Sequence, residues 1–287
     1  MRIILAALFI ITTFNVAPLA AKDFTGTLQQ IKKSGEIRIG FRESEPPMSY
    51  LGKDGKPVGY SIDICSRIVT ALKSKIGIDV KIKYVPVTAK NRFSALTNNK
   101  IDILCGSTTK TLARSEVVDF TQLTFVTGAS LMTLKSSNFS DLSSLNGKKI
   151  GVVKNTTTVK VLNNLLKETL TDAKIVEVGS ASDGLNKLRS GTIDAFSSDQ
   201  VVLIGLATTL NDVTNFVIAP EVFSFEPFAL AVRRNDADFR LVADRVISHL
   251  YRTRQILPIY DKWFGRFAKQ RPPIFDALFM LNATPEG

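Results

Sequence analysis

Histidine and tryptophan occur once each in this chain and cysteine twice. With His249 alone and no clustered cysteines, the ligand set for a transition metal is missing, and no metal or other cofactor is expected. No serine sits in a recognisable nucleophile elbow, so Ser-His-Asp chemistry has no candidate. Beyond the first residues no apolar run approaches the roughly 20 residues that a membrane-spanning helix needs. Long basic stretches are also lacking. Lys and Arg outnumber Asp and Glu by 37 to 26, for a formal charge of +11, yet the longest basic clusters are pairs such as Lys148-Lys149 and Arg233-Arg234. Nothing resembles a basic arm interleaved with aromatics, so nucleic acid is not an expected partner. An anionic small ligand and general solubility account for the charge as well.

What is present begins with a leader. Met1 and Arg2 precede an apolar stretch from Ile3 to Val16, followed by Ala17-Pro18-Leu19-Ala20-Ala21. A charged start, a short apolar middle and small residues at the end predict a secretory signal peptide over 1–21, cleaved near Ala21. No cysteine follows within reach of the cleavage site, so lipid attachment is not indicated, and the mature chain is expected free in the solution outside the inner membrane. In that compartment Cys65 and Cys105 could form a disulfide. Cys65 lies among apolar helix positions and Cys105 ends an apolar strand, which fits two buried free thiols, and free thiols are the expectation adopted.

Through the rest of the chain short apolar runs alternate with segments of helical period, which predicts α/β units with mainly parallel sheets. Strands are expected at Glu36–Gly40, Val80–Val85, Ile101–Leu104, Lys149–Val153, Ile175–Val178 and Ala195–Ser197. Helices are expected at Ser61–Lys75, Arg92–Asn98, Thr157–Leu170, Ala181–Arg189, Gln200–Thr209, Ala237–Thr253 and Leu257–Phe264, with a hairpin turn at Lys53-Asp54-Gly55-Lys56. A weak repeat joins Leu96-Thr97-Asn98-Asn99-Lys100-Ile101-Asp102-Ile103 to Leu188-Arg189-Ser190-Gly191-Thr192-Ile193-Asp194-Ala195. Each ends a helix and enters a strand through an Ile-Asp pair, and each strand leads into a polar stretch. Two similar lobes would present such strand ends to one cleft, where open α/β sheets bind ligands.

Arg42 follows the first strand and precedes a loop containing Pro46-Pro47, so it stands at a strand end, where its guanidinium can fork onto a carboxylate. Alone it would read as solvated. Arg92 and Arg114 provide company. Arg114 comes seven residues after Ser107, with Thr109 between, and a short helical turn would swing it back over those hydroxyls. In the second half, the threonines before and at Thr157 open a helix whose free N–H groups could seat a carboxylate or simply be capped. Asp199, after the strand at Ala195, could accept a bond from an ammonium group or serve as an N-cap.

The segments Gly40-Phe41-Arg42-Glu43-Ser44, Val58-Gly59-Tyr60-Ser61-Ile62-Asp63, Thr88-Ala89-Lys90-Asn91-Arg92, Cys105-Gly106-Ser107-Thr108-Thr109 and Asp261-Lys262-Trp263-Phe264 resemble the periplasmic glutamate/aspartate-binding proteins of amino-acid ABC importers. The resemblance spans the mature chain. It implies a two-lobed α/β periplasmic binding protein fold (type II), with two strands crossing between lobes near Thr124–Gly128 and Ser224–Phe228. Lobe 1 would comprise 22–124 and 228–287, and lobe 2 would comprise 125–227. It further implies delivery to permease subunits, a shuttle role that a monomer suits, with Arg114, Ser107, Thr109 and Thr157 on the ligand's α-carboxylate. Asp199 would take the α-ammonium, and Arg42 and Arg92 the side-chain carboxylate. Two positions depart from the pattern, where Ala89 replaces a serine and Ala181 a histidine, and both bear on which amino acid or dicarboxylate binds. The same architecture also resembles periplasmic dehydratases of prephenate-like acids, which need a placed acid and base. His249, on a late amphipathic helix, reads as a surface residue, and Glu43 and Glu45 read as a solvated loop. A sensor-type module for a membrane receptor would use the same pocket.

Overall fold

The alternating pattern folds into two five-stranded sheets and one small three-stranded sheet in a computed structural model that describes residues 24–139, 141–209, 213–267 and 270–287. The leader read over 1–21 lies outside the described residues. Along the chain the strands are β1 (Glu36–Phe41), β2 (Ser44–Glu45), β3 (Ser49–Leu51), β4 (Pro57–Val58), β5 (Lys81–Pro86), β6 (Ile103–Cys105), β7 (Val118–Thr127), β8 (Ala129–Leu134), β9 (Lys149–Val153), β10 (Lys174–Val178), β11 (Ala195–Asp199), β12 (Phe216–Ile218) and β13 (Glu226–Arg233). The helices are α1 (Gly26–Ser34), α2 (Tyr60–Ile76), α3 (Arg92–Thr97), α4 (Leu112–Ser115), α5 (Thr157–Glu168), α6 (Ala181–Arg189), α7 (Gln200–Thr209), α8 (Ala237–Arg252), α9 (Ile256–Phe264) and α10 (Pro273–Leu281). Among the described residues no helix is long and apolar enough to cross a membrane.

The first sheet has the order β5-β1-β6-β13-β7 and the second β10-β9-β11-β8-β12. Most strands of each sheet share one direction, as expected, but one reversed strand makes each sheet mixed. In each sheet one strand, β13 or β8, runs opposite to the other four, so β13 pairs antiparallel with β6 and β7, and β8 with β11 and β12. The reason is connectivity: β7, which runs with the first sheet, continues through Gly128 into β8 and enters the second sheet reversed, and β13 returns beside β7 reversed in the first. The hairpin turn is present, with β3 and β4 paired antiparallel around Gly55 at φ +73°.

The weak sequence repeat becomes a structural one. Asp102 Oδ2 accepts the N–H of Arg38 in β1 at 2.8 Å, and Asp194 Oδ2 accepts that of Lys149 in β9, also at 2.8 Å. Two residues further along each of these strands stands a glycine, Gly40 or Gly151, where a Cβ would lie 2.4 Å from Cδ1 of Ile101 or Ile193 respectively. The Ile-Asp pair thus does the same two jobs twice: the isoleucine fills the space above a strand glycine, and the aspartate ties the strand's backbone to the preceding turn. Because Gly40 is in register with Leu104 and Gly151 with Phe196, Ser107 and Asp199 occupy equivalent positions three residues on.

Helix α2 forms because Ile64, Cys65, Ile68, Val69, Leu72 and Ile76 fall on one buried face, and it ends at Gly77 in the left-handed conformation, whose N–H bonds to Lys73 O. That face brings Cys65 over the end of β6, 6.5 Å between Cα atoms from Cys105, and the two form a disulfide. Free thiols were the expectation, and it is overturned. Burial fits both states; what decides is proximity within disulfide range, across 40 positions of sequence. Helices α1 and α10 were not expected. Phe275 of α10 packs at a tilt on Phe125 at 4.7 Å, and Phe125 stacks with Phe264 of α9 at 4.8 Å, so the last helices close the first sheet's outer face with aromatic surface.

Candidate functional site

The expected site residues share partners: Thr109 and Thr157 meet on Glu226, Ser107 and Arg42 on Glu45, and Arg92 reaches the Asn155 carbonyl. The short helix α4 does swing Arg114 back, as its Nη1 donates to the Thr109 carbonyl at 2.7 Å. The cap residue Thr111 accepts the Arg114 N–H and fixes the turn. Arg92, 2% exposed, donates from Nη1 to the Ala89 carbonyl at 2.6 Å and from Nη2 across the cleft to the Asn155 carbonyl at 3.3 Å. Its Nε is buried with no partner among the described residues. Phe93, which sequence reasoning missed, lies under both guanidinium groups, 4.7 Å from Arg92 and 5.4 Å from Arg114.

Thr157 opens α5 from the second sheet. Its cap residue, Thr156, makes no side-chain cap bond and donates instead to the Val153 carbonyl. Simple capping therefore does not explain the threonine run, and among the described residues no side chain caps the first-turn N–H groups of α5. Thr157 Oγ1 donates to Glu226 Oε2 at 2.8 Å, as does Thr109 Oγ1 at 2.6 Å from the other side, while Ser224 donates to Oε1. Glu226, 2% exposed at the start of β13, is the largest omission of the sequence reading. Its signal was a carboxylate inside the apolar run Phe225-Glu226-Pro227-Phe228. Glu45 is a correction: it is no solvated loop residue but 7% exposed, because β2 to β4 fold its loop back onto Arg42. Arg42 Nη2 pairs with Glu45 Oε1 at 2.6 Å, and Ser107 donates to the other oxygen.

Asp199, at the end of β11, has Oδ1 buried without a hydrogen-bond partner among the described residues. Burial pushes its carboxyl well above the usual carboxylate range, and the charges of Glu226 and Glu45 push it further. Burial likewise brings Arg92 down to about 9, helped by repulsion from Arg42 and Arg114, and lowers Arg114. The cleft thus holds a carboxylate that wants a cation and guanidinium groups that want anions, each desolvated. A small molecule carrying both charges would relieve both.

The two lobes touch beside these groups. Gly205 on α7 faces the Pro46-Pro47 loop, and a Cβ there would lie 2.1 Å from the Pro46 carbonyl oxygen. The obstacle is backbone, so Gly205→Ala is expected to hold the lobes apart. Capture of any solute that must touch both lobes should weaken about 5- to 100-fold, the equivalent of the usual overpacking cost. Titration checks this, with thermal melting of the ligand-free protein expected to change little.

Residues 37–266 match the bacterial extracellular solute-binding proteins, family 3. The chain is 34% identical over 257 residues, 89% of its own length and 85% of the relative's, to an L-glutamate/L-aspartate-binding protein of Pseudomonas aeruginosa. It is 33% identical over 246 residues, 85% of this chain and 82% of the relative, to a glutamate/aspartate import solute-binding protein of Escherichia coli. Among solved structures, the cysteine-binding protein of Campylobacter jejuni superposes with a TM-score of 0.75 at 25% identity, over 88% of this chain and 98% of that one. The two-lobed architecture, the matched segment and these relatives agree: the chain belongs to the bacterial extracellular solute-binding proteins of family 3.

Proposed function

We propose that this protein captures an acidic amino acid, glutamate or aspartate, in the periplasm and delivers it to the permease subunits of an ABC importer. The observation that carries the reading is the pair of unmet buried groups, Asp199 Oδ1 and Arg92 Nε, whose opposite charges suit a zwitterion. Asp199 takes the α-ammonium, which returns its carboxyl toward the ionised form. Arg114 takes the α-carboxylate. Ser107, Thr109 and Thr157 line the same corner; since the hydroxyls of Thr109 and Thr157 donate to Glu226, these two offer the ligand backbone N–H groups rather than hydroxyl protons. Arg92 and Arg42 face the side-chain carboxylate. The names of the matched Pseudomonas and Escherichia relatives support the choice of ligand.

The chain works as an exported monomer with a leader over 1–21, lobe 1 from 22–124 and 228–287, and lobe 2 from 125–227. Ligand touching both lobes favours their closure by differential affinity. No turnover is assigned: Glu45 and Glu226 are each committed to hydroxyl or guanidinium donors, which favours fixed acceptors over a proton-transferring pair. The test is isothermal titration of refolded, ligand-stripped protein against glutamate, aspartate, glutamine, asparagine and dicarboxylates. Binding of glutamate or aspartate is the expected result; silence toward both, with a response to another solute, would overturn the ligand assignment.

A further inference from the structure

Glu45 stands inside the cleft rather than beside it. One carboxylate oxygen meets Arg42 Nη2 at 2.6 Å, the other accepts the Ser107 hydroxyl, and the strand that carries it, β2, packs against α6 and α7 of the opposite lobe. Its charge reaches the groups that would hold the ligand, pushing Asp199 up and acting against the lowering of Arg92. Three guanidinium groups, Arg42, Arg92 and Arg114, therefore share the site with three carboxylates, Glu45, Asp199 and Glu226. An amino acid with a neutral side chain leaves that balance intact. One with a side-chain carboxylate leans chiefly on Arg92, because Arg42 is shared with Glu45, and leaves the site with one negative charge in excess.

Hydrogen-bond chemistry points the same way. Among the described residues Arg92 Nε is a buried donor left over, and the carboxylate whose charge acts on it, Glu45, is held in place by Arg42 and Ser107. A side-chain amide fits both, its carbonyl accepting from Arg92 and its NH2 donating to Glu45. A side-chain carboxylate accepts from Arg92 but meets Glu45 as a like charge. Resting on the acidic amino-acid reading above, we propose that Glu45 is the specificity-determining residue that widens this binding site from glutamate and aspartate to their amides, glutamine and asparagine.

The test compares the wild-type protein with Glu45→Gln and Glu45→Ser by titration against glutamate, glutamine, aspartate and asparagine. Melting curves accompany each protein, and the serine variant supplies the answer if the glutamine variant does not fold. The wild type is expected to bind each amide within about tenfold of its acid, and both variants to raise the acid-over-amide affinity ratio by about tenfold or more, as removal of one facing like charge requires. A wild type that binds glutamate while the variants keep its ratio unchanged would overturn the role of Glu45 and leave the acidic reading standing. So would a wild type that already prefers the acid by about a thousandfold. Silence of all three proteins toward all four ligands would overturn the acidic reading and this assignment with it.

Discussion

Arg114→Ala is expected to remove measurable binding of every amino acid, a loss of about 100-fold or more. The guanidinium is already positioned before any ligand arrives. Its Nη1 is held by the Thr109 carbonyl, its face lies against Phe93, and its backbone N–H is fixed by Thr111. Little side-chain freedom remains to be lost on binding. The variant would leave an α-carboxylate buried without its cation, the situation that costs about 3–5 kcal/mol when one partner of a buried pair is deleted. Arg114→Lys should recover part of the loss, because it restores the charge but not the planar fork. Titration with a melting curve for each variant checks the result. A loss below about tenfold would transfer the α-carboxylate to Arg92 or to the start of α5.

Asp102→Ala is expected to lower folding stability by about 2–4 kcal/mol, somewhat less than a fully buried network would lose. Asp102 is itself fully buried, and it bonds Arg38 at 2.7 Å, Arg233 at 2.9 Å and Gln30 at 3.1 Å. The two arginines keep some contact with water, 20% and 14% side-chain exposure, which discounts the figure. Burial alone would push the Asp102 carboxyl up, but the bonds from Arg38 and Arg233 overcome it and hold the carboxyl below its usual range. The folded protein therefore takes up this proton less readily than the unfolded chain. The stabilisation is complete above the unfolded value, about 3.9, and is lost as pH falls through the lower folded one. Urea unfolding at pH 7 and in steps below pH 5 should show the wild type losing stability that the variant never had. Asp194→Ala, which removes only the bond to the Lys149 N–H, should cost about 1 kcal/mol. If the two losses were equal, the electrostatic share assigned to Asp102 would be wrong.

The pair Asp102 and Asp194 illustrates how far local pattern carries. Both were visible as the same Ile-Asp signal, and both tie a strand to the turn before the next one, because that bond depends on short-range backbone geometry. Only one of them gathers two arginines. Arg38 is 64 positions away and Arg233 is 131, and no periodicity records such a meeting. The same limit separates Arg114 from Glu226. Arg114 belongs to one stretch of strand, hydroxyls and helical turn, and it was legible there. Glu226 meets Thr109 across 117 positions and Thr157 across 69, and nothing local to β13 announces those partners.

From sequence alone came the alternation of strands and helices, the repeated Ile-Asp turn, the strand-end position of Arg42 and Asp199, and the helical turn that carries Arg114. These follow from the 3.6 and 2.0 residue periods and from what a residue type does beside its chain neighbours. Tertiary structure alone decided that Cys65 and Cys105 are joined, that the sheets are mixed, that Glu45 is buried on Arg42, and that Asp199 and Arg92 are left with unmet atoms. Each of those depends on distance through space and on exclusion of water. A charge changes meaning with both, so the places of Glu45 on Arg42 and of Glu226 between Thr109 and Thr157 emerged only when the fold brought those partners to them.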